Sequence, residues 1–243
     1  MNIKELYESN EMSIDEIATH LKCHRSSVLR KLHKLGTSFE GKGRDQYANN
    51  IDFEYFQEIL IGELLGDGCL NQSSKSSVRF RYNTASKEYC CWLKNELEKY
   101  GMKFGPLYFH RNGCTEMRSI SYRNLKTLYD KWYIDKQKII PDDLLITPKI
   151  LLHWYIGDGF LKKNKGCKLK YPCLATNCFL LYNDLLIKKF KDIGISFKKY
   201  KVGDSYALMI NKKDDIVKFF NFMEKPNETV FKIYGYKWDY FNH

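Results

Sequence analysis

Two apolar stretches of the sequence end in the same short motif, Gly-Asp-Gly, and each motif carries one acidic side chain. The first stretch covers residues 60–68 and contains Asp67, and the second covers residues 151–159 and contains Asp158. Each has the composition of a buried helix that ends at a glycine turn. Two such helices packed side by side would bring the carboxylates together, and acids at close range favour a bound divalent cation.

A single Gly-Asp-Gly after an apolar run does not by itself indicate catalysis. Aspartate is common in turns because its side chain hydrogen-bonds the nearby backbone, so a turn-forming role is the alternative for each copy. The functional interpretation is favoured because the chain contains the pattern twice. In addition, Gly62 and Gly66 lie four positions apart on one helix face, where small residues allow two helices to approach closely.

The elements around both acids repeat in the same order. In residues 51–147 the apolar spacing predicts a helix, a two-stranded hairpin, a helix, two strands and a helix, and residues 148–243 repeat that order. Each half is therefore a predicted αββαββα unit. The predicted fold class is α+β, with two pseudo-symmetric repeats that share the acid-bearing helices and form one eight-stranded saddle with a basic concave face.

Residues 1–36, which precede these repeats, are predicted to form three short helices that resemble a helix-turn-helix domain. The second helix of that motif enters the major groove. The residues expected near base edges are Arg25, Ser27 and Arg30. A small trihelical interaction module is the alternative, because residues 1–50 carry 8 basic and 7 acidic side chains. Residues 37–50 lack apolar periodicity and are predicted to be a linker.

Charge and composition indicate a polyanionic partner. The 243 residues include 40 Lys and Arg against 29 Asp and Glu, a net charge of +11, and nearly all of the excess follows residue 50. The eight cysteines form no Cys-x-x-Cys pair and are predicted to be free thiols in a reducing compartment. No apolar run reaches the ~20 residues that a membrane-spanning helix needs, so we expect an intracellular, non-secreted protein without a membrane partner.

Together with the two acids, other motifs resemble the single-chain, two-repeat LAGLIDADG homing endonucleases over roughly residues 51–240. Lys138-Ile139-Ile140-Pro141-Asp142-Asp143-Leu144 and the following Thr147-Pro148 are similar to the segment that joins the two halves in this family. Thr176-Asn177-Cys178-Phe179 resembles the end of the second long strand. One departure is His153, which replaces a small residue and predicts looser helix packing or a histidine turned to one side. The helix-turn-helix would be an appended module.

The resemblance implies a metal site at the helix ends. Asp67 and Asp158 would bind the ion with help from the backbone carbonyls of Gly66 and Gly157. Oxygen ligands favour Mg²⁺, with Mn²⁺ as the alternative. Two basic residues would lie over the active site, polarise water around the scissile phosphate and hold transition-state charge. These are Lys138 in the first half and Lys232 in the second.

The resemblance also implies that the strands lie in the major groove of DNA, where Arg can pair with guanine and Asn with adenine. The candidate reading residues are Arg79, Arg81, Asn83, Arg118, Lys168, Lys170, Lys199 and Lys201. A solvated strand face is the alternative for each of them.

The function implied by these features is sequence-specific cleavage of double-stranded DNA by a monomeric homing endonuclease of a mobile element. Staggered ends are expected because a metal between two acids would serve both strands across a narrow groove. The alternative is a non-cleaving DNA-binding regulator or an intron RNA maturase on the same fold, with intron RNA as a partner. Both acids are present, which favours the enzyme.

Overall fold

A computed structural model describes residues 3–8, 14–37, 51–74, 76–164, 166, 168–203 and 205–240. The chain divides into two compact units, Met1–Gln46 and Tyr47–His243. The predicted linker, residues 37–50, lies outside the described residues except for Thr37.

The N-terminal unit contains α1 (Ile3–Glu8), α2 (Ile14–His20) and α3 (Arg25–Lys34). Its small core includes Ile17, Val28 and Leu32, which are fully buried. Gly36 follows α3 with a φ of +67°, a left-handed conformation that ends a helix at little cost for glycine. Three helices are therefore present, whereas their identity as a DNA-binding helix-turn-helix stays a prediction.

The larger unit contains the first predicted repeat. Its elements are α4 (Gln57–Leu65), β1 (Gly68–Gln72), β2 (Val78–Thr84), α5 (Lys87–Lys99), β3 (Tyr108–Phe109), β4 (Thr115–Arg118) and α6 (Leu125–Trp132), followed by a short hairpin of β5 (Tyr133–Ile134) and β6 (Gln137–Lys138). The αββαββα order predicted for this half is confirmed.

The second repeat follows the same order. Its elements are α7 (Pro148–Asp158), β7 (Gly159–Lys163), β8 (Lys170–Ala175), α8 (Asn183–Asp192), β9 (Lys198–Val202), β10 (Ser205–Met209) and α9 (Lys213–Phe222), followed by α10 (Glu228–Tyr234) and a 3₁₀ turn at Gly235–Trp238. Thr147 caps α7 by accepting a hydrogen bond from the Ile150 amide, and Pro148 occupies its first turn, where proline is tolerated. The two halves therefore differ mainly in the segment after their last shared helix.

Apart from the β5–β6 hairpin, the strands form two antiparallel sheets of four strands each. Their orders, β1-β2-β4-β3 and β7-β8-β10-β9, are equivalent in the two repeats. In each sheet one face packs against helices, as Phe80 and Met117 do in the first and Leu174 and Leu208 in the second. We call the opposite face of each sheet its outer face.

Helices α4 and α7 pack against each other at the centre of the larger unit. One hydrophobic core spans both repeats, and Leu60, Leu64, Leu151 and Trp154 from these two helices are fully buried in it. Both helices are apolar on nearly every side because they are covered by the partner helix and by the sheets. No helix in the described part of the chain is long and apolar enough to cross a membrane.

Candidate functional site

Helices α4 and α7 touch through glycine backbone at their C-terminal ends. A Cβ atom placed on Gly66 would lie 3.5 Å from Gly157 Cα, and one placed on Gly157 would lie 3.4 Å from the amide nitrogen of Asp67. A Cβ atom at either glycine would just make ordinary van der Waals contact, so the two helix ends lie side by side with little space between them. Asp67 and Asp158 directly follow these two glycines, so the two acids lie close together, as predicted.

Both carboxylates have raised proton affinity. Burial and then the charge of Asp67 raise the pKa of Asp158 to about 7. The pKa of Asp67 is raised as well. Asp67 is exposed to solvent, yet the protein atoms around it exclude part of its hydration, and this desolvation is the larger cause of the shift, followed by the charge of Glu63. Two acids that resist ionisation together gain most from a cation, so this donor set fits a divalent metal.

Lys138 lies against the end of the first acid-bearing helix. Its Nζ donates hydrogen bonds to the carbonyl oxygens of Leu64, at 2.8 Å, and Gly68, at 2.7 Å. Burial lowers the pKa of Lys138, and the negative charges of nearby groups, including Asp158 and Asp67, oppose that effect. The predicted position of Lys138 beside the two acids is therefore the one observed.

The second lysine at the site is Lys237, and the sequence-based placement of Lys232 there is corrected. Lys232 is exposed on α10. Lys237 is buried and its Nζ donates to the carbonyl of Tyr155, at 3.3 Å. Tyr155 precedes Asp158 by three residues, as Leu64 precedes Asp67, so Lys237 repeats the contact of Lys138 in the second half.

Lys237 also contacts the carbonyls of Ile156, at 2.5 Å, and Gly157, at 3.3 Å. Burial lowers its pKa to about 8, although Asp67 and Asp158 favour its charged form. The carbonyl oxygen of Gly157 thus already accepts a hydrogen bond from the Lys237 ammonium group. Its predicted role as a metal ligand, and that of Gly66, stay predictions.

The described residues contain no cluster of three or more His, Cys, Asp or Glu side chains with the arrangement of a metal site. A metal at the helix ends would therefore depend on two carboxylates, with the remaining positions filled by backbone carbonyls, water or substrate oxygens. This donor set is typical of Mg²⁺, which keeps several non-protein ligands.

A buried polar network lies between α4 and α7, one helical turn before the acids, and was not predicted. Glu63 Oε1 accepts a hydrogen bond from the Tyr89 hydroxyl at 2.6 Å and lies 2.7 Å from His153 Nδ1. Glu63 is fully buried and His153 is 3% exposed. The Trp92 ring stacks on the imidazole. The sequence signals for it were a glutamate and a histidine, each within an apolar helix.

The outer face of the first sheet carries the predicted reading residues. Phe80 and its alternate neighbours on β2 point into the core, so Arg79, Arg81 and Asn83 point outward. The strand register pairs Arg81 with Arg118 of β4 on the same face. All four predicted side chains of this half therefore share one face.

Glu116 holds two of these arginines on the outer face. It has no exposed side-chain surface, and it accepts hydrogen bonds from Arg81 Nη2, at 2.6 Å, and from Arg118 Nε. The ring Nε2 of His110 lies 2.9 Å from the same carboxylate. Burial alone would raise the pKa of Glu116, but these hydrogen bonds outweigh it and lower the pKa to about 2.

In the second sheet, three of the four predicted lysines point to the helix-covered side, which corrects their assignment as reading residues. Lys199 pairs in register with the buried Leu208, and its Nζ donates to Asp184 of α8 at 2.8 Å. Lys201 shares that face by strand alternation. Lys170 shares the face of Leu174 and donates to Asp239 at 2.6 Å.

Buried residues determine which side chains of these strands point to the core, and this was not evident from the lysine-rich sequence. Phe197 is 4% exposed and enters the core two positions before Lys199. The outward basic residues of this sheet are instead Lys162 and Lys198. The fourth predicted residue, Lys168, is exposed in the segment before β8.

In the N-terminal unit, the predicted reading residues lie on α3. Arg25 and Arg30 are exposed and Ser27 is half-buried. The Arg25 guanidinium already pairs with Asp15 of α2. Contact of these residues with DNA stays a prediction.

Two repeats that share acid-bearing helices and carry equivalent four-stranded sheets define the LAGLIDADG architecture. The chain belongs to the LAGLIDADG DNA endonuclease family, whose profile matches residues 57–218. The resemblance inferred from the sequence motifs is therefore confirmed, as is the two-repeat fold.

The chain is also similar to individual proteins. The chain is 30% identical over 238 residues to the uncharacterized protein MJ1098 of Methanocaldococcus jannaschii, covering 90% of this chain and 89% of the relative. It is 24% identical to the cytochrome b mRNA maturase bI2 of Debaryomyces hansenii, covering 64% of this chain and 67% of that protein. Its fold is similar to the homing endonuclease I-WcaI bound to its DNA recognition sequence, with a TM-score of 0.64, 18% identity and coverage of 83% and 92%.

Proposed function

We propose that this protein is a sequence-specific DNA endonuclease that hydrolyses both strands of a double-stranded target. The observation that supports this most strongly is the glycine contact between the helix ends, which sets Asp67 and Asp158 beside each other. The outer face of the first sheet supports DNA as the partner, because it carries arginines and an asparagine. The structural relative I-WcaI is itself bound to its DNA recognition sequence.

The metal in this proposal is Mg²⁺ or Mn²⁺, held by the carboxylates of Asp67 and Asp158 with help from backbone carbonyls. When bound, a divalent ion supplies an activated water and neutralises charge at the phosphate. The raised pKa values of both acids support this role, because a cation would stabilise their ionised forms.

Lys138 and Lys237 are the basic residues proposed to stabilise the transition state. Each is anchored to helix-end carbonyls beside one acid, so its ammonium group is held in place before substrate binds. A preorganised positive charge stabilises negative charge that develops on the phosphate without a reorganisation cost during the reaction. Because each half supplies one acid and one lysine, a single copy of the chain contains both halves of the site, which supports a monomer that cuts both strands and leaves staggered ends.

The N-terminal unit is proposed to add DNA contacts through α3. Arg30 is the most direct candidate, because it is exposed, whereas Arg25 is paired with Asp15. Replacement Arg30→Ala is expected to weaken target binding while cleavage of bound DNA continues. Unchanged affinity would assign this unit to another role.

The experiment that tests the proposal is incubation with a randomised duplex DNA library and Mg²⁺ or Mn²⁺, followed by sequencing of the new ends. Wild-type protein is expected to produce defined, staggered ends at one target. The variants Asp67→Asn and Asp158→Asn should bind that target without cutting it. The control is Asp192→Asn, an exposed acid at the end of α8. Cleavage by either active-site variant would contradict the mechanism.

A second candidate function is action as an intron RNA maturase. It is favoured by the similarity to the maturase bI2 over 64% of this chain. Tight binding to a structured intron RNA, with splicing that survives Asp67→Asn, would support this role in place of cleavage or beside it.

A further inference from the structure

The outer faces of the two sheets carry different chemistry, although the two repeats have the same topology. On the second sheet, the strand register places aromatic and aliphatic side chains on the outer face with two lysines. These outer residues are Phe160, Lys162, Tyr171, Cys173, Ala175, Lys198, Tyr200, Val202, Ser205, Ala207 and Met209.

Several of these apolar side chains remain accessible. Phe160 and Met209 are half-buried and belong to no hydrophobic core cluster, and Val202 is 43% exposed. Cys173 and Ala207 lie among them and are buried. The second outer face therefore offers partly exposed apolar surface around buried small residues.

The two lysines add positive charge to this apolar face. Lys198 is exposed on β9 beside Met209 of β10. The Nζ of Lys162 lies 3.7 Å from the centroid of the Tyr200 ring, which fixes its aliphatic stem across the sheet. Positive charge complements the phosphate backbone, whereas the apolar surface between the lysines must meet a different part of the partner.

The first outer face has the opposite character. Arg79, Arg81, Arg118 and Asn83 occupy it, and Glu116 holds two of the arginines in place. Among the described strand residues, the second outer face has no Arg, Asn, Gln, Asp or Glu. It therefore lacks the Asn and Gln that pair with adenine and the Arg that pairs with guanine, and only Lys162 and Lys198 among these strand residues could donate in that way to a guanine edge.

The apolar feature of a base pair in the major groove is the C5-methyl group of thymine. β7 starts at Gly159, directly after Asp158, so the second outer face continues from the proposed cutting site. We infer that the second sheet recognises its half of the DNA target mainly through apolar contacts with thymine methyl groups, whereas the first sheet reads purines by hydrogen bonds. This inference rests on the proposed function.

Replacement of thymine by deoxyuridine tests this, because it removes the methyl group and keeps every hydrogen-bonding atom. In the target selected by the wild-type protein, all thymines of one half-site are replaced at a time and the Kd of each duplex is measured. We expect a loss of affinity of roughly threefold per contacted methyl in one half only. In the other half, replacement of guanine by 7-deazaguanine, which lacks the N7 acceptor, should be the damaging change.

The variant Met209→Gln assigns the sensitive half to the second sheet. Glutamine has nearly the same shape as methionine but presents an amide, so this variant should bind the normal target more weakly and lose part of the deoxyuridine penalty. Met209→Leu is the matched control and should keep the full penalty. Thermal unfolding of both variants shows whether either has lost its fold.

The possible results separate this inference from the proposed function. If no duplex is bound or cut, the proposed function fails. If a target is found but deoxyuridine has equal effects in both halves, or no effect, the assignment of thymine recognition to the second sheet is wrong. Tighter binding to single-stranded than to duplex DNA would also overturn it, since the aromatic side chains would then act as a stacking platform.

Discussion

Gly62 lies directly against His153 across the α4–α7 interface, at a position where no side chain would fit. A Cβ atom on Gly62 would lie only 2.5 Å from His153 Cβ and 2.8 Å from the Ile150 carbonyl oxygen. The missing side chain at 62 therefore lets α4 approach the backbone of α7 and the Cβ of residue 153 closely. These short separations contradict looser packing, which was one of the two expectations from the sequence. The other, a histidine turned to one side, agrees with the imidazole, which is hydrogen-bonded to Glu63 and stacked on Trp92 of α5.

The variant Gly62→Ala is expected to reduce the free energy of unfolding by about 1–3 kcal/mol, since overpacking forces backbone or side-chain shifts. Urea denaturation at neutral pH measures the change. The control Gly105→Ala adds the same methyl group where the nearest atom lies 4.0 Å away, and should have little effect. Equal stability of the two variants would show that the helices can separate at no cost.

The variant Asp158→Asn is expected to stabilise the metal-free protein while it abolishes cleavage. The pKa of Asp158 is raised from 3.8 to about 7, so the folded state retains a proton that the unfolded chain releases. The contribution of this carboxyl group to the free energy of unfolding should therefore fall as pH rises from about 4 to about 7, and Asp158→Asn should lack that contribution. The difference above pH 7 should be on the order of 2 kcal/mol after solvent screening.

This prediction is measured by urea unfolding in EDTA from pH 4 to pH 8. Asp192→Asn serves as the control and should follow the wild-type profile. A variant Asp158→Asn that is less stable than wild type at pH 8 would show that the carboxylate supports the fold instead of straining it.

The variant Lys237→Met should lower the rate of DNA cleavage by about 100-fold or more, as expected when a preorganised charge is removed from the reacting phosphate. Lys232→Met is the matched control on the neighbouring helix and should cut normally, because Lys232 is exposed. Single-turnover cleavage with saturating protein separates this effect from DNA binding. The reverse order of the two variants would restore the assignment made from the sequence.

The variants Lys198→Ala and Lys199→Ala, at adjacent positions of β9, should have different effects on DNA binding. Lys198 points to the outer face and Lys199 pairs with Asp184 on the helix side. We expect Lys198→Ala to reduce the slope of log K against log salt concentration by about 0.9, the contribution of one phosphate contact. Lys199→Ala should leave the slope unchanged. Equal slopes for the two variants would contradict the assignment of the outer face as the DNA-binding face of this sheet.

The duplicated elements were predictable because their signals are local. The Gly-Asp-Gly ends of α4 and α7 and the alternation of Val78, Phe80 and Tyr82 fixed the acids and the outer face of the first sheet. On β9 lysines lie on both sides of Tyr200, so the alternation of polar and apolar residues did not reveal which side chains point to the outer face. The phase depends on Phe197 and Leu208, whose burial is a tertiary property.

The lysine that lies beside the acids in the second half was missed for a topological reason. In the first half Lys138 ends the short β5–β6 hairpin that follows α6, whereas Lys237 lies in a 3₁₀ turn that is separated from α9 by α10. The two lysines occupy equivalent positions in the structure, but they lie at different distances along the chain from the last shared helix of their repeat. The network of Glu63, Tyr89 and His153 was hidden for a related reason, since it joins residues from three helices.

The difference between the two outer faces has a consequence for the DNA itself. Arg81 and Arg118 on one side and Phe160 and Met209 on the other could not both match inverted copies of one sequence. A palindrome would present the same groups to each sheet and would satisfy only one of them. The preferred site is thus expected to be non-palindromic, and the protein would have a single orientation on it, with Asp67 and Asp158 each assigned to its own strand.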